Sequence, residues 1–462
     1  MYIIHLIVLL SIFISSNANA SDSLSRKEII EDLEILDKNL RKLHPNLFTY
    51  SSPEEVDRYF SEIKKTIPDS VSQEFAFELV AGASQIIKDG HTIFLPSAAS
   101  IEYNSVNDNF FPFDIYWDGD QMFVQRNYSQ DTSIRVGTII SKIDDLKIKE
   151  IVERLTNVLP HDGDNLSYSN WIINTYFSSY YNFVFGSIEQ IELSYNHNSY
   201  LINALPKTQI NEIKNRIFQD IDGQKPLTLI IDTNLSTATI KISDFHNSVI
   251  KSNDQKFKKI MATFFSKIEE KNIQNLILDF RDNQGGSLRN GRILLSYLLK
   301  EKYKLVEQYY RVREKNAHDP KGRLRKSLRD IAIVSRPRNS SFKGKVYVII
   351  NGGAFSNTGM VCACLDRRNR ALFVGQETGG SASLLSSDSK QITLPNSGIS
   401  VQIPTLQFVL PEYPEGKNGG VKPDFYLTPT VSDMIQNKDI ELIEIKKRIE
   451  KQFTTIVADA QP

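Results

Sequence analysis

The chain has 462 residues, in which 55 lysines and arginines balance 55 aspartates and glutamates. Because domains average about 150 residues, a chain of this length is expected to form roughly two to four domains with a large buried core. Balanced charge gives no net field that would attract a phosphate backbone or an anionic membrane, so the composition argues against nucleic acid as a partner.

The N-terminus has the pattern of a secretory signal. Residues 1–20, MYIIHLIVLLSIFISSNANA, contain an uncharged apolar run followed by the small-residue motif Ala18–Ala20, which favours cleavage before Ser21. No lysine or arginine lies near Met1, and the alternative is a run that stays uncleaved as an anchor. No later segment reaches the about 18 apolar residues that would span a bilayer. We therefore expect an exported protein, periplasmic or extracellular, with no integral membrane segment once the signal is removed.

Residues 21–100 are predicted to form a small helical layer. Apolar side chains recur at every third or fourth position, which is the spacing of one buried helix face. Ser25 and Glu28 have the spacing of a capping box, and Ser52 precedes Pro53 at a first helical position, so helices are expected to begin there. Three helices are predicted, over about 25–44, 52–67 and 73–88.

Residues 101–210 are predicted to form a separate β-rich module. Aromatic and β-branched runs such as FPFDIYW and QMFVQRNY are separated by Asp-Gly pairs, as short strands and hairpins require. Within this module the sequence GTIISKIDDLKIKEIVERL predicts a strand over Ile139–Ile143, a turn at Asp144 and Asp145, and a helix from about Lys149.

In the C-terminal half, apolar strands alternate with helices. Strands are predicted over LTLIID, TATIKISDF, NLILDF, KVYVII and ALFVG, and helices over Asp254–Glu270, Leu288–Lys300 and the segment after Ser356. This alternation is typical of a mostly parallel, covered sheet. Cys362 and Cys364 are two positions apart on the last helix, where side chains diverge, so we expect core thiols and no disulfide.

A glycine pair follows one predicted strand in the segment LILDFRDNQGGSL. Gly285 and Gly286 let backbone amides approach a ligand closely, and the helix that follows favours negative charge at its start. No Gly-Lys-Ser or Gly-Lys-Thr motif follows, which argues against a phosphate loop. An oxyanion site and a simple tight turn both remain open.

Ser356 lies at a second strand-to-helix junction, in VYVIINGGAFSNTGMVCACL. Serine is a favoured helix cap, and capping alone would explain it. A serine on such a turn also exposes its hydroxyl at the carboxyl end of a sheet, with the Asn357 amide directed to the place where an oxyanion would form. The position therefore suits either a cap or a nucleophile.

A nucleophilic serine needs a base, which directs attention to the histidines. The chain has seven, and none follows Ser356, so the α/β-hydrolase order of serine, acid and histidine is excluded. The base must lie upstream or be a lysine. His91, in KDGHTIFL, is the best candidate because an Asp-Gly turn presents it at the mouth of a strand, and His246 comes second.

Five short segments follow one another along the chain: DGHT, LILDFRDNQGG, INGGAFSNTG, FVGQETGG and GGVKPD. Together they resemble the C-terminal processing peptidase family, the serine peptidases that include tail-specific proteases and the tricorn core. The resemblance covers most of residues 25–430. It implies an α/β fold with a crotonase-like (ClpP/crotonase-type) catalytic core, an N-terminal helical region and a β-rich PDZ-like module. The domains it implies are a signal peptide over 1–20, the helical region over 21–100, the PDZ-like domain over 101–210 and the peptidase domain over 211–462.

The resemblance also implies roles for the two glycine- and serine-containing turns. Ser356 matches the family's nucleophile. The Asn357 amide and the backbone of Gly285 and Gly286 match its oxyanion hole, where the residues themselves suggested donors.

The family divides by its general base. Where the tail-specific branch has a lysine, this chain has Ser381, and Lys390 is the nearest substitute. The tricorn-like branch uses an upstream histidine, here His91, and a glutamate shortly before a Gly-Val-x-Pro-Asp segment, for which Glu415 is favoured over Glu412. The resemblance therefore favours the Ser/His/Glu branch.

A polar residue beside the histidine often completes a tetrad in that branch. Gly90 occupies the usual position in this chain, and Thr92 lies on the other side. A triad is the expected outcome.

The resemblance implies an exported serine endopeptidase or C-terminal processing peptidase that acts on peptides or proteins. No metal or organic cofactor is needed, and the sequence has no cluster of cysteine, histidine and acidic residues with metal spacing. The competing hypothesis is a peptide-binding or scaffold protein that keeps the fold without hydrolysis. The sequence carries no signal for the oligomeric state.

Overall fold

The computed structural model describes residues 23–195, 198–217, 225–312, 332–411 and 419–459. The predicted signal over 1–20 and the two candidate glutamates, Glu412 and Glu415, lie outside the described residues. The helices are α1 (Arg26–Leu43), α2 (Pro53–Thr66), α3 (Gln73–Ala81), α4 (Ser84–Ile87), α5 (Ala98–Asn107), α6 (Ile148–Val158), α7 (Ser167–Phe185), α8 (Lys207–Ile217), α9 (Asn247–Ser252), α10 (Phe257–Glu270), α11 (Leu288–Leu298), α12 (Asn357–Asp366), α13 (Val431–Ile435) and α14 (Ile440–Asp459).

The strands are short except for one long hairpin. They are β1 (Ser23–Ser25), β2 (Ser70–Ser72), β3 (Ile93–Leu95), β4 (Asn109–Phe110), β5 (Phe113–Trp117), β6 (Met122–Asn127), β7 (Ile139–Ile140), β8 (Lys142–Ile143), β9 (Leu146–Lys147), β10 (Gln190–Tyr195), β11 (Asn198–Asn203), β12 (Leu205–Pro206), β13 (Leu227–Asp232), β14 (Thr237–Ile242), β15 (Asn275–Asp279), β16 (Gln308–Arg311), β17 (Lys345–Ile350), β18 (Leu372–Gly375), β19 (Leu384–Thr393), β20 (Ser400–Val409) and β21 (Phe425–Tyr426).

The N-terminal helices begin where the sequence predicts. Ser25 caps α1 in a capping box with Glu28, and Ser52 caps α2 with Pro53 at its first position. The third helix differs from the prediction because it breaks at Gly82, a poor helix former, into α3 and the short α4. The chain then turns through residue 88, whose φ is 51°, into the segment that carries His91.

Besides the short pair of β4 and β12, the central region holds two small sheets and a long helix that the sequence analysis did not predict. One sheet has the order β5-β6-β7 and the other β11-β10-β8-β9. The predicted strand over 139–143 is divided between them, because β7 pairs with β6 whereas β8 pairs with β10. Helix α7 has an aromatic-rich sequence, which by intrinsic propensity favours a strand. It forms a helix because its buried face packs against the rest of the core, and this packing outweighs the propensity.

The C-terminal half contains the predicted mostly parallel sheet. Its order is β13-β14-β15-β17-β18-β21, in which only the first pair is antiparallel. Helices α10, α11 and α12 cover one face and α14 packs on the other. Since β15 and β17 are parallel neighbours, with Asp279 opposite Ile349, the loops after these two strands lie side by side. Those loops carry the glycine pair and Ser356.

The hairpin of β19 and β20 joins the N-terminal region to the C-terminal half. Strand β3, which directly follows the loop that contains His91, pairs antiparallel with β20, so that Phe94 lies opposite Val401. The buried carboxylate of Asp32 accepts hydrogen bonds from Ser397 N at 2.8 Å and Ser397 Oγ at 2.6 Å at the hairpin turn. These contacts bring His91 to the sheet edge where Ser356 lies.

Two large hydrophobic clusters form the core, one in the N-terminal and central regions and one around the parallel sheet. Phe355 packs in the first cluster although it lies next to Ser356 in the C-terminal half. Cys362 and Cys364 are buried in the second, as the prediction of core thiols requires. Across the part of the chain that the structure describes, no helix combines the length and apolar character that a membrane crossing requires.

Candidate active site

Ser356 lies in the turn between β17 and α12, at a φ of 52° and a ψ of −126°. A residue other than glycine at positive φ costs on the order of 1–3 kcal/mol, which the surrounding packing must supply. The interpretation of Ser356 as a side-chain cap is wrong, because its hydroxyl makes no capping hydrogen bond to α12. The strained turn instead directs the half-buried hydroxyl to His91.

His91 Nε2 lies 3.1 Å from Ser356 Oγ, although the two residues are 265 positions apart in the chain. The imidazole ring stacks on Phe355 with 4.6 Å between ring centroids, and Phe355 stacks in turn on Tyr168 at 4.0 Å. This aromatic stack fixes the orientation of the ring, since a rotated imidazole would lose its contact with Phe355.

The surroundings of His91 favour its neutral form. Burial lowers the pKa of His91 to about 4, and the negative charge of Asp89 only partly opposes this effect. A neutral ring that accepts at Nε2 carries its proton on Nδ1. This Nδ1 is buried and finds no hydrogen-bond partner within the described ranges.

Asp89 fixes the backbone of the loop that carries His91. Its buried Oδ1 accepts hydrogen bonds from His91 N at 2.8 Å and Thr92 N at 3.0 Å, while Oδ2 accepts one from Ser386 Oγ and lies 3.4 Å from His44 Nε2. Burial acts to raise the pKa of Asp89, but the contact with His44 and the positive charge that His91 acquires at low pH outweigh it and hold the pKa well below its usual range. The Thr92 hydroxyl also faces this carboxylate, at 3.4 Å.

The glycine loop after β15 packs directly against the serine. A Cβ on Gly285 would lie 2.7 Å from Ser356 Cβ and 2.8 Å from Asn357 N, and Gly285 has a φ of 102°. Only glycine fits in this space. The Gly285 amide donates to Asn283 Oδ1 at 3.0 Å, so it is not available to an oxyanion. The Gly286 and Asn357 amides, by contrast, make no hydrogen bond to any residue that the structure describes.

The other sequence candidates lie elsewhere. Lys390 is exposed on β19, in register with Ile403. Ser381 is buried where the tail-specific branch has its lysine. His246 is exposed and its Nδ1 lies 2.8 Å from Asp244 Oδ1.

Sequence reasoning missed Phe355, Tyr168 and Asp162 as parts of the site. The two aromatic rings come from segments 187 residues apart, so no local pattern pairs them. Asp162 belongs to an Asp-Gly turn of the kind that usually lies in solvent, yet it is buried beside the His91 loop. A buried carboxylate on a turn has no sequence signature that distinguishes it from an exposed one.

Comparisons with known proteins relate the C-terminal half to a known family. The sequence model of peptidase family S41 matches residues 236–427. No curated protein sequence matches the chain. Mature CPAF aligns over 95% of this chain and 99% of its own, with 15% identity and a TM-score of 0.61. Mature CPAF complexed with lactacystin aligns over 94% of this chain and 99% of its own, with 16% identity and a TM-score of 0.63.

At these identities the likeness to the two CPAF structures is one of fold, whereas the family match rests on the sequence of the C-terminal half. The matched range begins just before β14 and ends just after β21, and so includes the glycine loop and Ser356. The resemblance to the C-terminal processing peptidases is thus confirmed over residues 236–427, which match peptidase family S41, and this match indicates a serine-type peptidase.

Proposed function

We propose that this chain hydrolyses peptide bonds through an acyl-enzyme formed on Ser356. The observation that carries the proposal is the distance of 3.1 Å between Ser356 Oγ and the Nε2 of a histidine that is neutral at physiological pH. A hydroxyl becomes a useful nucleophile when a neutral imidazole lies within hydrogen-bond reach to accept its proton.

The proposed reaction proceeds in two steps. Ser356 Oγ attacks the peptide carbonyl carbon while its proton passes to His91 Nε2, and the C–N bond then breaks as the leaving amine takes that proton. In the second step water attacks the ester carbon, gives a proton to His91, and the product leaves as a carboxylic acid while Ser356 regains its hydrogen. Bonds and protons balance without a further reactant.

The oxyanion is proposed to accept hydrogen bonds from the amides of Gly286 and Asn357. Gly286 follows Gly285, which packs against Ser356, and Asn357 follows Ser356 itself; neither amide is engaged by another described residue. The Gly285 amide is excluded from this role because it already donates to Asn283. One such donor typically contributes about 3–4 kcal/mol to lowering the barrier.

The third member of the triad remains a proposal from the sequence. Ser381 in place of the lysine and the contact between His91 and Ser356 support the Ser/His/Glu branch. We propose Glu415, in preference to Glu412, as the carboxylate that orients proton transfer. Glu415→Gln is expected to lower kcat by about 10²-fold or more, and Glu412→Gln to leave it near the wild-type value, on one peptide substrate. The opposite result would assign the role to Glu412.

The domain organisation and location are proposed on similar grounds. The two small sheets of the central region are compatible with a PDZ-like module over 101–210 that binds peptide ends, and the parallel sheet with a crotonase-like core over 211–462. Export through the signal at 1–20 is proposed from its sequence pattern. The mass of the mature N-terminus, measured after expression in a secreting host, tests cleavage before Ser21.

A fluorophosphonate probe tests the proposed nucleophile directly. Purified wild-type protein is expected to be labelled at Ser356, and the label should be absent from Ser356→Ala because that change removes the hydroxyl that lies within hydrogen-bond reach of His91. Thermal melting shows that both proteins are folded. Absence of labelling on folded wild-type protein would support the inactive peptide-binding alternative instead.

A further inference from the structure

Asp162 connects two segments of the active site that are far apart in the chain. Its side chain is 3% exposed, and its two oxygens accept hydrogen bonds from Gly90 N at 2.7 Å and Ser381 N at 2.9 Å. Gly90 directly precedes His91, and Ser381 belongs to the C-terminal half that carries Ser356. Asp162 itself lies in the turn before α7, so one carboxylate joins three separate parts of the fold.

The loop that carries His91 is held at three consecutive amides. Asp162 binds the amide of Gly90, while Asp89 binds those of His91 and Thr92. A Cβ on Gly90 would lie 2.9 Å from Phe355 Cζ and 3.0 Å from Asp162 Oδ1, so the loop is packed against the same ring that stacks on the imidazole. Asp89 fixes the loop internally, and Asp162 attaches it to the catalytic half.

We infer that Asp162 is a positioning residue that holds His91 at Ser356 by tying the Gly90 amide to the Ser381 amide. This inference rests on the proposed peptidase function. Displacement of a catalytic group by about 1 Å can cost roughly 10²-fold in rate, so an attachment point next to the base has a large effect on turnover although it touches no substrate.

The charge of Asp162 sets how firmly it holds these amides. Burial and the negative charge of Asp89 raise the pKa of Asp162 to about 7. Among the described residues, its titratable neighbours are Asp89, which is ionised, and Tyr50 and Tyr168, which stay neutral because burial raises their pKa values. The neighbouring His161 turns its Nδ1 to Gly163 O at 2.7 Å.

An ionised carboxylate accepts at both oxygens, whereas a protonated one has a hydroxyl that accepts poorly. The attachment is therefore complete above about pH 7 and weakens as the pH falls through the pKa of Asp162. A residue with a purely architectural role would not link turnover to this ionisation.

Asp162→Asn tests the inference, because the amide keeps the shape but can accept only one of the two hydrogen bonds. Asp164→Asn is the matched control, since Asp164 lies two residues away on the surface and its carboxylate pairs with Lys88 Nζ at 2.8 Å. On one peptide substrate, kcat of Asp162→Asn is expected to fall about 10²-fold with KM nearly unchanged, and Asp164→Asn to match wild type. The wild-type kcat should also rise through about pH 7, and this step should be missing from Asp162→Asn.

Unchanged kcat in Asp162→Asn, or an equal loss in Asp164→Asn, would overturn the inference. If Asp162→Asn does not fold, hydrogen exchange in the wild type decides: protection of the Gly90 and Ser381 amides should decrease below pH 7 beyond the intrinsic change in exchange rate, and constant protection contradicts the inference. If the wild-type protein is neither labelled nor active, the proposed function fails separately. The His91 ring resonances in Asp162→Asn then show whether Asp162 positions the ring, and unshifted resonances would mean that it does not.

Discussion

His91→Ala is expected to lower kcat by about 10²–10⁴-fold, whereas Lys390→Ala leaves it within about two-fold of wild type. The physical reason is that His91 Nε2 lies 3.1 Å from Ser356 Oγ, whereas Lys390 is exposed on the hairpin strand β19. Steady-state kinetics of both variants on the same peptide, with melting temperatures as a check of folding, measure the difference. Loss of turnover in Lys390→Ala alone would assign the chain to the lysine branch.

The acid limb of the pH–activity profile gives a second test of His91 as the general base. Because burial lowers the pKa of His91 to about 4, the ring is neutral and able to accept a proton above that pH. In Asp162→Asn, which should lack the step near pH 7, activity that depends on His91 should therefore persist above about pH 4 and disappear as the pH falls through that value. In that variant, an acid limb near 6.5, the ordinary pKa of histidine, would show that the ring is solvated in the working enzyme.

Asp89 influences the pH at which this acid limb occurs, because it influences the pKa of His91. Its negative charge raises the pKa of His91 and thus opposes the larger effect of burial. Its own charge is maintained by His44 and by the hydrogen bond from Ser386, which lies on β19 of the C-terminal half. Residues from both halves of the chain therefore contribute to the pKa of His91. An isolated N-terminal fragment would not reproduce this pKa.

Local signals in the sequence predicted the elements that carry the site. Capping residues predicted the starts of α1 and α2, and the alternation of apolar strands with helices predicted the parallel sheet. Because the carboxyl ends of parallel strands meet at one edge of a sheet, the glycine loop and the Ser356 turn could be expected at the same edge. Helix α7 was missed because its aromatic residues favour a strand in isolation, and tertiary packing overrides that preference.

The details that determine the chemistry depend on long-range contacts, which a single sequence does not show. Whether Ser356 caps its helix or faces a base depends on the φ of one residue and on a histidine 265 positions away. In the sequence, the amides of Gly285 and Gly286 are equivalent candidates for the oxyanion hole, but in the structure the Gly285 amide donates its hydrogen bond to Asn283. The burial of Asp162 follows from the packing of its turn between the His91 loop and Ser381. The resemblance to a family implies roles for these residues, and the geometry separates the Gly286 and Asn357 amides, which no described residue engages, from the Gly285 amide, which donates to Asn283.

The second large effect is expected from Gly285→Ala, which should abolish most activity and lower the melting temperature. The added methyl group would lie 2.7 Å from Ser356 Cβ and 2.8 Å from Asn357 N, on a backbone with a φ of 102°. The loop must therefore move away, or Ser356 must leave its strained turn, and either shift separates the nucleophile from the Gly286 and Asn357 amides. We expect a loss in kcat of about 10³-fold, comparable with removal of an oxyanion donor, and a destabilisation of about 1–3 kcal/mol.

Gly359→Ala is the matched control, because it adds the same methyl group to a buried glycine three residues after Ser356. Its Cβ would find only Ala354 O, at 3.9 Å, and the backbone there is helical. The substitution should leave kcat unchanged and stabilise the protein by up to about 1 kcal/mol, since alanine is the better helix former. If Gly285→Ala and Gly359→Ala had the same kcat and the same melting temperature, the close packing of the glycine loop on Ser356 would not be needed to form the oxyanion site.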